Sequence, residues 1–177
     1  MESPKPRFDV VGQLGSLRRY ARSLTRNETD AEDLVHDTLV RAYERRSHFR
    51  DGGNLKGWLL SILHNGFIDS KRSSQSEARR RDALAVNAET VLQPPQEHSM
   101  RLMEVRDAFF SLPEEQRAAL HLVAIEGLSY EEAAATLGIP IGTLMSRIGR
   151  ARATLRSLEA EQPGKAAHLK IVGGRDE

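Results

Sequence analysis

The chain of 177 residues contains no cysteine, which rules out disulfides, thiolate zinc sites and iron–sulfur clusters and leaves nothing that needs an oxidising compartment. Aromatic residues are scarce, at 5%, against 29% charged, a balance that favours helices over a β-sandwich. No apolar run reaches the roughly 18 residues that cross a bilayer. The amino terminus MESPKPRFD has no apolar signal-peptide core, so no membrane insertion and a cytoplasmic location are expected. The six histidines are His36, His48, His64, His98, His121 and His168. None stands in a paired metal-ligand spacing, and neither a glycine-rich phosphate loop nor a nucleophile elbow occurs. No metal, no cofactor and no catalytic set of the chain's own are expected.

Excess charge is also missing, the net value being +1, but the two signs are segregated. From Pro113 to Glu132 there are five acids, Glu114, Glu115, Glu126, Glu131 and Glu132, against Arg117 alone. From Ile141 to Ser157 there are Arg147, Arg150, Arg152 and Arg156 and no acid. Positive potential is therefore concentrated on the last predicted helix.

That helix ends the most informative stretch, SYEEAAATLGIPIGTLMSRIGRAR from Ser129 to Arg152. Ser129 and Glu132 have capping-box spacing and start a helix with Ala133, Ala134 and Leu137 on its inner side. Gly138 stops it, and Ile139-Pro140 turns the chain into a second helix. At about 100° per residue, Leu144, Ile148, Ala151 and Leu155 share one side of that helix. Gly142, Ser146, Gly149, Arg150 and Ala153 lie opposite, with Thr143 and Arg147 on one edge. Small residues allow close approach to a phosphate strand, and arginines donate in pairs to guanine edges or phosphates. This is the pattern of a DNA-reading helix-turn-helix.

The remainder divides into two compact helical blocks, giving an all-α chain of two small domains. The first, residues 8–73, has Val10, Leu14, Leu17, Ala21 and Leu24 at helical spacing, its start weakened by Gly12 and Gly15. Thr29 with Glu32 reads as a capping box for a second helix, whose apolar stripe is Ala31, Leu34, Val35, Thr38, Leu39, Ala42 and Tyr43. The opposite stripe holds Asp33, Asp37, Arg41 and Glu44. After the loop Arg50-Asp51-Gly52-Gly53, Asn54 caps a third helix with Leu55, Trp58, Leu59, Ile62 and Leu63 inward. Residues 74–99 lose periodicity and read as a flexible linker. The second block, residues 100–160, opens with Leu102, Val105 and Phe109 on one helix, broken at Leu112-Pro113. A helix from Glu114 to Glu126 then precedes the helix-turn-helix. Residues 161–177 read as a mobile tail.

In order along the chain, DAEDLVHDTLVRAYERRSHFR (30–50), LKGWLLSILHNGFIDSKR (55–72) and LPEEQRAALHLVAIEGLSYEEAAATLGIPIGTLMSRIGRARATL (112–155) resemble bacterial sigma factors of the extracytoplasmic-function type. The resemblance implies that the first block is sigma domain two, docking on core RNA polymerase through Asp33, Asp37, Arg41 and Glu44. It implies that the loop 49–54 and Asn65 hold a flipped base of the promoter's minus-10 element while Lys56, Lys71 and Arg72 hold phosphates. The second block would be domain four, reading the minus-35 element with Thr143, Ser146, Arg147 and Arg150. Trp58 shares the helical phase of Leu55, Leu59 and Ile62, so a core role is expected for it.

Two positions depart from the family pattern: Met145 stands where Lys or Arg is usual, and His36 replaces a glutamine in the docking helix. An anti-sigma protein is the implied regulator, covering the stripe Asp33 to Glu44 and an apolar rim near Leu112 and Leu122. The short form resembles the general stress-response branch of the alphaproteobacteria. The alternative is a stand-alone helix-turn-helix regulator, which would need a dimerisation element; no coiled-coil heptad is visible.

Overall fold

The computed structural model describes residues 8–50, 52–80 and 97–160. Among them are seven α-helices and no strand, as the composition implied. They are α1 (Leu14–Thr25), α2 (Glu28–Glu44), α3 (Leu55–Arg80), α4 (Glu97–Ser111), α5 (Glu114–Leu120), α6 (Tyr130–Leu137) and α7 (Ile141–Ala160). The expected tail and residues 81–96 of the expected linker lie outside the described residues.

In the first block, the glycines delay the start of α1 as their low helix propensity requires: Val11–Gln13 forms a single 3-10 turn before it. The helix ends at Arg26, left-handed at φ 58°. Asn27, not Thr29, caps α2, its side chain accepting from the Asp30 N–H at 2.9 Å. Starting at Glu28 puts Thr29 inside the first turn and frees Glu32 to accept from Arg18 at 3.0 Å. Ala31, Leu34, Val35, Thr38 and Ala42 are buried as the stripe predicts. Tyr43 is not, being 65% exposed, because at this helix end its ring is covered by the Arg46 guanidinium, 4.2 Å away, rather than by the core.

Asn54 caps α3 as expected, accepting from the Gly57 N–H at 3.0 Å. Leu59, Ile62 and Leu63 are buried, and so is Leu60, which the one-sided stripe omitted. The reason is tertiary: α1 and α2 pack against α3, and so does α6 from the second block. The helix also continues to Arg80, past the boundary at Ser73 that loss of apolar periodicity suggested.

In the second block α5 passes directly into a π-helical turn, His121–Ile125, closed by Gly127 at φ 71°. Ser129 and Glu132 form the full reciprocal capping box at the start of α6. Gly138 ends α6 at φ 64°, a conformation that penalises any Cβ. Leu144, Ile148 and Ala151 bury one side of α7. The buried apolar residues of both blocks form one continuous cluster, running from Leu17 and Tyr20 through Leu59 and Leu63 to Leu112, Leu122 and Leu144.

Candidate nucleic-acid interface

On α7 the small residues Gly142, Ser146 and Gly149 are exposed together with Arg150, so the face expected to read DNA is a real surface. Its edge is different. Arg147 is engaged by Glu115 at 2.9 Å and its side chain is only 21% exposed. Thr143 is half-buried. Glu114 and Glu115 join Gly142, Ser146, Arg147 and Arg150 around an open groove of about 530 Å³. The acids at the start of α5 thus stand beside the cations of α7.

On the first block Asn65 is exposed and opens onto a hollow of about 410 Å³ shared with Arg45, His48, Trp58, Ser61 and Ile62. The wall opposite Asn65 is the turn after α2, rather than the loop 49–54 that sequence reasoning put there. Phe49 instead packs on Trp58, with ring centroids 5.3 Å apart, and Phe8 packs on Trp58 at 6.0 Å. Trp58 therefore joins an aromatic cluster against the core while one part lines the hollow. Arg45, His48 and Ser61 were missed, since residues on separate elements carry no shared spacing. His64, one residue from Asn65, faces away and meets the Tyr20 hydroxyl at 3.0 Å through Nδ1. Burial pushes the His64 pKa down; Glu114 pulls it up and Arg147 down again. A neutral ring with Nδ1 accepting from Tyr20 fits that direction.

The phosphate set is divided. Arg72 is exposed. Lys71 is paired with Glu114 at 2.8 Å, and Lys56 donates to the Glu126 carbonyl at 2.7 Å. On α2, Asp33, Asp37 and Glu44 are exposed, whereas Arg41 is half-buried, its guanidinium lying over Gly66 of α3. His36 is exposed. The apolar rim expected near Leu112 and Leu122 does not exist: these residues are 1% and 0% exposed and belong to the apolar cluster that spans both blocks. Among the described side chains of α4, the large exposed apolar ones are Leu102 and Val105.

Polar contacts between the blocks centre on two buried charges. Glu126, its side chain shielded from solvent, accepts from Arg19 of α1 at 3.0 and 3.1 Å and from His121 Nε2 at 3.2 Å. Burial pushes its pKa up, but hydrogen bonds from His121, Arg19 and Ser16 and the Arg19 charge outweigh burial and hold it at about 2. Arg117, 2% exposed, donates to the Ser23 carbonyl at 2.7 Å and to the Leu112 carbonyl at 2.8 Å. Arg26 donates to the Phe110 carbonyl, and Asn54 to Glu132 at 2.7 Å. One sequence signal for this network was available. Arg117 and His121 stand four residues apart, a spacing that puts two side chains on one helix face, and both are buried.

Among the described residues there is no cluster of His, Asp and Glu able to hold a metal, and no helix is long and apolar enough to cross a membrane. Residues 12–77 match the family described as Sigma-70 region 2, and residues 102–155 match that described as Sigma-70, region 4. The chain is 42% identical over 153 residues to an ECF RNA polymerase sigma factor, EcfG, of Rhodopseudomonas palustris, covering 86% of this chain and 83% of the relative. It superposes with a TM-score of 0.75 and 38% identity on the sigma factor RpoE of Bartonella quintana, solved in complex with the anti-sigma factor NepR, over 86% of this chain and 94% of that one. CnrH in complex with the cytosolic domain of CnrY matches with a TM-score of 0.62 and 30% identity, over 86% and 85% of the two chains.

Proposed function

The chain belongs to the extracytoplasmic-function sigma factors of the sigma-70 family, and from that premise we propose how its surfaces divide the work of promoter-specific initiation. It binds core RNA polymerase and directs it to promoters, under the control of an anti-sigma factor, in a stress or environmental response. The observation that carries this is the order of the two matched regions, each with its own surface. Block one offers the acidic stripe and the hollow beside Asn65; block two offers a capped helix-turn-helix with an acid-free outer face. The chemistry of RNA synthesis belongs to the polymerase, and the factor acts in the cytoplasm with no cofactor of its own.

In this reading Asp33, Asp37, Arg41 and Glu44 dock on the polymerase, with Arg41 also bracing α2 against α3. Asn65 receives an unstacked minus-10 base, and the hollow it shares with Trp58 and His48 supplies the apolar and polar walls that single-base recognition uses. Lys56, Lys71 and Arg72 take phosphates. Ser146 and Arg150 reach base edges of the minus-35 element, with Thr143 and Arg147 at the rim. The anti-sigma factor covers the α2 stripe and the exposed apolar side of α4 at Leu102 and Val105.

Run-off transcription with purified core polymerase on a pool of genomic promoters tests the reading. The factor should select a subset of templates sharing two spaced elements. Transcription no different from core polymerase alone, together with tight operator binding by the free protein, would instead identify a stand-alone regulator.

A further inference from the structure

Two neighbouring arginines of α7 stand in different surroundings. Arg150 is exposed, whereas the side chain of Arg147, one turn earlier, is 21% exposed and its Nη2 lies 2.9 Å from Oε2 of Glu115. Both partners of this pair belong to block two, where α5 packs on α7, so the pair needs nothing from block one. Two acids open α5, at the positive pole of that helix. Glu114 turns to Lys71 of α3, and Glu115 turns to α7. The result is a carboxylate on the rim of the groove that also carries Gly142, Thr143, Ser146 and Arg150. A side chain built on Gly142 or Gly149 would meet no protein atom within 4 Å, so the small-residue face of α7 is open to whatever lies over it.

An acid in that place works against affinity for DNA. It repels phosphates, and it neutralises a cation that would otherwise displace a counterion from the duplex. Nor does the pair do much for the fold, since the Glu115 side chain is 70% exposed and exposed ion pairs contribute little. What it does is fix a direction. A guanidinium carries its N–H donors in a rigid planar fork. With Nη2 turned to Glu115, donors on the other nitrogens remain for a ligand, and the side chain has already lost rotamer freedom that binding would otherwise remove. A fork held in this way suits guanine, whose O6 and N7 accept two donors in one plane. A phosphate, which accepts a cation from many directions, gains nothing from the tether.

Resting on the sigma-factor reading above, we infer that Glu115 is a specificity-determining residue for the minus-35 element, acting through Arg147 as a positioning group that holds the guanidinium to a guanine edge and off the phosphates. Arg147 then contributes less to total binding than to the choice of base pair. Loss of Glu115 releases it to any phosphate within reach.

The test uses the full chain bound to core polymerase, on a promoter recovered from the run-off assay and on a panel in which each minus-35 base pair is changed in turn. Arg147→Ala should lose the preference for one guanine pair, at which the unaltered factor discriminates about tenfold. Glu115→Ala should reduce that same ratio to about twofold or less. It should also strengthen binding to the changed promoters and steepen the dependence of log affinity on log salt by about one. Arg147→Ala shares the loss of preference and lacks the gain in affinity, and adding Glu115→Ala to it should change the ratio no further. A role in folding alone would weaken every promoter evenly and lower the thermal midpoint, which Glu115→Ala should leave nearly in place. The inference is overturned if Glu115→Ala keeps the full preference, if all promoters weaken together, or if Arg147→Ala loses preference at no guanine pair. It is also overturned if Glu115→Ala still alters the preference in the Arg147→Ala background, since the carboxylate would then read a base amine itself. Failure of the sigma-factor reading is distinguishable, because the unaltered factor with core polymerase would then select no promoter at all.

Discussion

Glu126 and His64 make the stability of this chain depend on pH from two sides of one interface. Glu126 has a folded pKa near 2 against an ordinary 4.5. Its contribution is present above pH 4.5 and is lost as pH falls from there toward 2, because the unfolded chain takes up the proton first. The loss should be on the order of 2 kcal/mol, allowing for screening at the half-exposed Arg19, and Glu126→Gln should abolish it in urea titrations across that window. His64 is shifted down from 6.5, so its folded form resists protonation. Stability should decline as pH drops below 6.5, and His64→Gln should flatten that part of the profile. On the DNA side, Arg150→Ala should cost about 1–3 kcal/mol on the preferred minus-35 sequence if the side chain is bidentate to a base. Arg147→Ala should cost less for the free chain, because Glu115 already holds that guanidinium. Equal losses for the two variants in a duplex-binding titration would contradict this ranking.

At the scale of elements, the helix-turn-helix depends on its two boundaries. Ser129→Ala removes the acceptor for the Glu132 N–H and should destabilise the fold by about 0.5–2 kcal/mol. Gly138→Ala meets no neighbouring atom, so its cost of about 1–2 kcal/mol is the left-handed backbone alone. Thermal unfolding monitored by circular dichroism separates these from a surface change such as Ala153→Ser, which should shift nothing. On α2, Asp33→Lys with Asp37→Lys should weaken core polymerase binding in a competition assay while leaving the melting curve intact, since both side chains are exposed. Unchanged core affinity would remove the stripe from the docking surface.

Over the whole molecule, one apolar cluster spans both blocks, and the single tryptophan, Trp58, lies in block one, where its ring packs on Phe8 and Phe49. Leu122→Ala, in block two and 0% exposed, should cost about 2–5 kcal/mol. Because the cluster is continuous, it should also lower the unfolding midpoint seen by Trp58 fluorescence. Two blocks that unfold independently would leave the Trp58 transition where it is. The measurement therefore reads cooperativity across the interface, and high salt should partly uncouple the two signals as the ion pairs between the blocks weaken.

What the sequence determined by itself was local. Capping at Ser129 and Asn54, the turn at Gly138 and the apolar side of α7 each depend on residues within a turn or two of one another, and a period of 3.6 displays them directly. The outward positions of Ser146, Gly149 and Arg150 and of Asp33 and Asp37 follow from the same periodicity. The tertiary structure decided whatever required two distant segments to meet. Leu60 is buried because α3 is packed by α1, α2 and α6 together, and Leu112 and Leu122 are core rather than rim because they join the apolar cluster that spans both blocks. Asn65 shares its hollow with Arg45 and His48 because the end of α2 folds beside α3. The acids of residues 113–132 and the cations of α7 and α3 appear in the sequence as separate tracts of opposite sign. Only the packing of α5 against α7, and the approach of the start of α5 to Lys71 of α3, turns them into partners, because a Coulomb attraction acts through distance in space and helical periodicity carries no information about which helix will lie beside another.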